Sequence, residues 1–122
     1  MFGITKEIRG ILLSSEGIVS FVGDNIFPLI APEGTAGDYI TYQRDEFSQS
    51  YTKMGVAEQR VIINIIAVSS DYERSNSIAA LIYDTLSGRF RNPDISVQLE
   101  DSTEDFMDDK FIQVLQFSIK QI

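Results

Sequence analysis

The side chains best able to do chemistry in this sequence are carboxylates, and six of them crowd into one run: Glu100, Asp101, Glu104, Asp105, Asp108 and Asp109. Clustered carboxylates are the ligands that Ca²⁺ and Mg²⁺ prefer, and a pair at the right separation can act as acid and base on a glycoside. The spacing here speaks against both. It does not match the calcium loop D-x-[DN]-x-[DN]-G-x₅-E and lacks that loop's turn glycine, so a solvated hairpin tip without a metal is expected. Glycoside chemistry needs a concave site with aromatic platforms, and the chain has no Trp.

The chain also has no Cys and no His. That removes disulfides, thiol nucleophiles, the commonest zinc ligands, the commonest general base and every Ser-His or Cys-His pair. Only carboxylates, Lys, Tyr or Ser remain for catalysis, so a protein that is not an enzyme is expected. Lack of Cys fits a reducing compartment. Glu33-Gly34-Thr35-Ala36-Gly37 has two glycines but neither the Walker spacing nor the triple-glycine dinucleotide fingerprint, and reads as a surface turn. With 18 acidic and 10 basic side chains the net charge of −8 repels phosphates, which speaks against nucleic-acid binding and for solubility. Met1 to Lys6 lacks the pattern of a signal peptide, and the longest apolar stretch, Val61 to Val68, is interrupted by Asn64. Neither export nor membrane insertion is expected.

The elements that would position any site follow from periodicity. A chain of 122 residues, 43% apolar and 23% charged, suits one domain spanning 1–122. Ile4, Ile8, Ile11 and Leu12 predict an amphipathic helix, and Ile18, Phe21 and Val22, closed by Gly23, predict either a second short helix or the far limb of one bent helix. Ile26-Phe27-Pro28 reads as a short edge strand, 31–38 as a turn-rich loop, and Tyr39 to Arg44 as a strand. A polar stretch from Asp45 to Ala57 separates it from Arg60 to Val68, apolar on both faces and therefore central. Ser70 with Glu73 forms a capping box for a helix whose stripe is Ile78, Leu81, Ile82 and Leu86, with Gly88 at its left-handed end. After Pro93, Ile95, Val97 and Leu99 alternate as a strand, as does Phe111 to Ile119, and the acidic run between them is expected to be the turn of a hairpin. The predicted fold class is α+β, a mostly antiparallel four- to five-stranded sheet with helices packed on one face.

The polar stretch contains the candidate interaction site. Long loops in small domains tend to be functional, and 47–56 carries Phe47, Tyr51 and Met54, side chain types enriched at protein interfaces.

Taken in order, several segments resemble the tail completion, or tail terminator, family of siphophages, small proteins that cap the tail tube and join it to the head. They are Phe21-Val22-Gly23-Asp24-Asn25-Ile26-Phe27-Pro28, Ala31-Pro32-Glu33-Gly34, Asp38-Tyr39-Ile40-Thr41-Tyr42-Gln43 and Arg60-Val61-Ile62-Ile63-Asn64-Ile65-Ile66-Ala67. The helix Asp71 to Leu86 and the strand Phe111 to Ile119 complete the set, and the likeness rests on order and spacing over most of the chain. The resemblance implies an α+β subunit of a phage or prophage, without cofactor or catalytic residues. It would assemble as a ring, a hexamer, with the tail tube protein and a head-completion or neck protein as its other partners. It would be made in the host cytoplasm and end in the tail-neck region of the virion. Glu100 to Asp109 is more acidic than the family pattern. The alternatives are a small-ligand-binding or regulatory α+β domain, which a deep apolar pocket would favour, and a hydrolase that binds a divalent metal on the acidic hairpin.

Overall fold

Ile4, Ile8 and Leu12 recur at one-turn spacing, and the chain coils there into α1 (Ile4–Leu13) with those three side chains buried. The computed structural model describes residues 2–91 and 94–121. Ser15 begins α2 (Glu16–Val22) by accepting a hydrogen bond from the Ile18 amide at 3.3 Å, and α2 buries Ile18 and Val22. Gly23, at φ +61°, releases the chain from the helix. The third helix, α3 (Tyr72–Leu86), buries Ile78, Ala79, Ile82 and Leu86. It starts one residue later than predicted. The cap is Asp71, whose carboxylate accepts from the Arg74 amide at 3.2 Å, while Ser69 Oγ accepts from the Asp71 amide. Asp caps as well as Ser does, so the sequence alone could not rank the two. Gly88 has positive φ, but as the first residue of a strand, not as the helix's left-handed end.

Six strands form one sheet in the order β1-β2-β3-β6-β5-β4. They are β1 (Ile26–Pro28), β2 (Tyr39–Thr52), β3 (Gly55–Ser69), β4 (Gly88–Phe90), β5 (Ile95–Met107) and β6 (Lys110–Gln121). Helix α3 carries the chain from β3 to the far edge, and β6 returns to lie against β3 in the centre. Strand β1 sits at an edge, where Pro28 leaves no ladder donor missing, and runs parallel to β2 with Pro28 opposite Tyr42. The sheet is therefore mixed and larger than the four to five strands predicted. Pro93 lies outside the described residues.

Residues in register place one apolar layer under the helices: Ile40 and Tyr42 of β2, Val61, Ile63 and Ile65 of β3, Leu115, Phe117 and Ile119 of β6, Ile95 and Val97 of β5. A polar clamp ties that layer to α3. Buried Asp38 accepts from Ser69 Oγ at 2.8 Å and from Arg74 Nε at 2.7 Å, and the Arg74 guanidinium lies 4.8 Å above the Phe21 ring.

Two predicted non-strand segments are strands. The polar stretch 45–57 extends β2 and the start of β3 into a long hairpin, with Phe47 opposite Val61 and Gln49 opposite Gln59. Most of the acidic run likewise belongs to β5, and only Asp108 and Asp109 turn the chain. A ribbon that runs past the core buries neither face, so alternation, the signal of a half-buried strand, is not required of it. Asp108 and Asp109 have φ of +54° and +61°, the left-handed pair that a two-residue hairpin turn demands. Glycine holds that conformation without steric cost, so Asp109→Gly is expected to raise unfolding free energy by roughly 0.5–1 kcal/mol, read as an upward shift of the urea midpoint.

Candidate interaction surfaces

The last rung that β3 shares with β6 is Arg60 opposite Lys120; beyond it β2 and β3 continue alone to a turn at Lys53 and Met54. About five residues per strand make this arm roughly 16 Å long. Gln59 Nε2 donates to Gln49 Oε1 at 2.8 Å and Gln49 Nε2 donates to the Tyr51 hydroxyl at 3.0 Å, a ladder along one face of the arm. Its tip is apolar: Met54 is 96% exposed, Tyr51 69%, and Val56 stands opposite Tyr51 in register and is also exposed.

The structure therefore divides the three predicted interface residues. Tyr51 and Met54 share the arm's tip. Phe47 is half-buried about 13 Å back along the strand, packed on the core edge and stacked on Phe2 with ring centroids 4.7 Å apart. The Arg44 guanidinium lies 4.5 Å from the same Phe2 ring. Segment 47–56 is thus a hairpin arm with an anchored root, which corrects its reading as a loop.

At the other end of the sheet the β5–β6 turn exposes Phe106 and Met107. Phe106 packs on Phe111 at 4.9 Å, and Phe111 meets the Tyr72 ring edge-on at 5.6 Å. Tyr72 donates its hydroxyl hydrogen to Glu104 Oε2 at 3.0 Å, and Gln113 Nε2 donates to the same oxygen at 3.1 Å. That hydrogen bond, and the charge of Glu104, raise the Tyr72 pKa above its usual value.

The carboxylates of β5 do not converge. Glu104 points to the side of Tyr72 and Gln113, and its neighbour Asp105, by strand alternation, to the other side. Among the described residues no three such side chains come together as a metal site. From Gln98 onward β5 has no partner on its outer side among the described residues. Charged side chains along a free edge discourage stray strand pairing, which gives the acidity a structural use. Calcium at submillimolar concentration is accordingly expected to leave the melting temperature unchanged; a rise of several degrees would reveal a site.

Three features went unnoticed in the sequence. Leu29 and Ile30 are both exposed, and Leu29 sits at φ +64°, where a non-glycine residue is strained. The sequence signal was present as two adjacent large apolar residues between the predicted edge strand 26–28 and the turn-rich loop 31–38. Leu29 lines an open depression of about 290 Å³ with Thr5, Pro28, Tyr42, Gln43 and Arg44. Second, Phe106 and Met107 were hidden by the charges around them. Third, the apolar outer face read for β3, with Ile62 and Val68 buried and Ile66 half-exposed, continues onto its neighbours through half-exposed Tyr39, Ile112 and Val114. The accessible surface is 7320 Å², against roughly 6600 Å² for a compact monomer of this mass, so about a tenth is surplus, as protruding hairpins require. Among the described residues no helix is long and apolar enough to cross a membrane.

No protein-family model matches the sequence, and no curated protein matches it. Among solved structures, a chain from the virion of a native gene transfer agent particle superposes with a TM-score of 0.74. The match covers 93% of this chain and 90% of that one at 16% sequence identity, and it shows a shared fold.

Proposed function

We propose that this chain is a structural subunit of a phage-like virion that caps the tail tube as a ring and joins it to the neck. The observation that carries this reading is the fold shared with a virion chain across nearly the whole of both molecules. The order of segments that resembles the tail terminator family supports the finer placement. So do the large apolar side chains exposed at two hairpin ends and on a strained loop, as in a surface that binds other proteins. The chain works by binding and not by catalysis. It needs no cofactor, and its partners are further copies of itself, the tail tube protein and a neck protein. A ring, hexameric by the resemblance, multiplies the net charge of −8, so that DNA leaving the head passes its lumen without adhering.

Disruption of the gene in the phage or prophage that encodes the chain tests this directly. Electron microscopy should show unjoined heads and tails of unregulated length, because an uncapped tube continues to grow. Intact particles with tails of normal length would refute the tail reading.

A further inference from the structure

Because β3 and β6 run antiparallel and each hairpin turns at the start of one of them, the two hairpin ends lie at opposite ends of the same sheet. They differ in charge. At the arm, Lys53 sits in the turn beside Tyr51 and Met54, and at its root Arg60 and Lys120 outnumber the one carboxylate, Glu58, in an open depression of about 300 Å³ that Ser48, Gln49 and Ser50 complete. Both root cations are loosely held. Arg60 Nη2 is 3.8 Å from Glu100, Lys120 Nζ is 3.7 Å from Glu58, and buried Arg60 Nε has no hydrogen-bond partner among the described residues. At the opposite end Glu104, Asp105, Asp108 and Asp109 surround Phe106 and Met107, with Lys110 the single cation in that turn.

We propose that these ends are the two halves of one head-to-tail contact between copies of this chain. The acidic β5–β6 turn of one copy lies along the arm of the next, with Asp108 and Asp109 facing Lys53, Arg60 and Lys120, and Phe106 and Met107 against Tyr51 and Met54. Opposite charge at the rim and Tyr, Phe and Met at the centre match the anatomy of a protein interface. Each half occurs once per chain and does not complement itself, since two acidic turns repel. Copies therefore add in one direction and close into a ring when the rotation between them allows. This contact rests on the reading of the chain as a ring-forming subunit and supplies the surface that makes the ring.

The absence of native cysteine permits a direct test. Met54→Cys and Met107→Cys chains are mixed and joined with a short bis-maleimide. Steering between unlike ends should form the mixed dimer at least about tenfold faster than either like dimer. In roughly 1 M salt, where the Debye length is ~3 Å, that advantage should vanish. Asp108→Asn with Asp109→Asn should reduce it without breaking the turn, because asparagine tolerates the left-handed region. A chain with both cysteines should give a ladder of covalent oligomers. Mixed and like dimers forming at equal rates would overturn the contact. Selective cross-linking by a chain that fails to cap tails would leave the contact standing and remove the tail reading. Capping by a chain whose cross-links are unselective would do the reverse.

Discussion

Phe117→Ala is expected to lower the free energy of unfolding by about 3–5 kcal/mol, the loss typical of a buried aromatic side chain cut back to a methyl group. Phe117 is 1% exposed on β6, with Ile63 beside it on β3 and Leu99 beside it on β5, so no neighbouring loop can collapse into the space. Against a total stability of roughly 5–15 kcal/mol, this one change removes a large share. Ile63→Ala and Ile65→Ala, on the central strand, should each cost about 2–5 kcal/mol by the same mechanism. Lys6→Ala, on the exposed face of α1, should stay within about 0.5 kcal/mol. Urea unfolding followed by far-ultraviolet circular dichroism measures all four. If Phe117→Ala costs no more than Lys6→Ala, the apolar layer has been wrongly placed.

The second large effect is on assembly. The double change Tyr51→Ser and Met54→Ser should leave unfolding free energy within about 0.5 kcal/mol, because both side chains stand in solvent at the tip of the arm. The same change should abolish the capping of tail tubes in an assembly reaction viewed by electron microscopy. Removal of exposed aromatic and Met anchors commonly destroys an interface, since a few such residues carry most of its energy. Phe47→Ser should behave differently. It breaks the stack on Phe2 and opens the edge of the core, at a cost of about 1–3 kcal/mol. A folded Tyr51→Ser, Met54→Ser protein that caps tubes to normal length would show that the arm is not the binding element.

The candidate interaction surfaces were only partly legible in the sequence. Tyr51 and Met54 were recognisable as large side chains in polar company, and they do mark the arm's tip. Phe47 looked the same on paper. Its role as an anchor depends on Phe2, which the fold alone brings alongside it. The proposed partner half, Phe106 and Met107, could not be read because flanking carboxylates dominate any local average, and Leu29 fell between the predicted strand 26–28 and the predicted loop 31–38 and was assigned to neither. The complementarity of the two hairpin ends could not be read at all, because it depends on the antiparallel placement of β3 and β6.

What the sequence determined by itself is the set of elements that bury a face. Ile4, Ile8 and Leu12 of α1, Ile78, Ile82 and Leu86 of α3, the doubly apolar β3 and the alternating β6 each carry a period that burial enforces, and each formed where the period predicts. Pro28 set the edge position of β1 for an equally local reason, the missing donor. Tertiary structure decided the rest. The pairing of β6 with β3 joins strands distant in sequence, and no local preference encodes it. The outer reaches of β2, β3 and β5 extend beyond the core, where backbone hydrogen bonds between neighbouring strands hold a ribbon together with no demand on side chain pattern. Those reaches carry the exposed apolar tips at Tyr51, Met54, Val56, Phe106 and Met107, so the surfaces proposed to meet other proteins lie where periodicity does not record the shape.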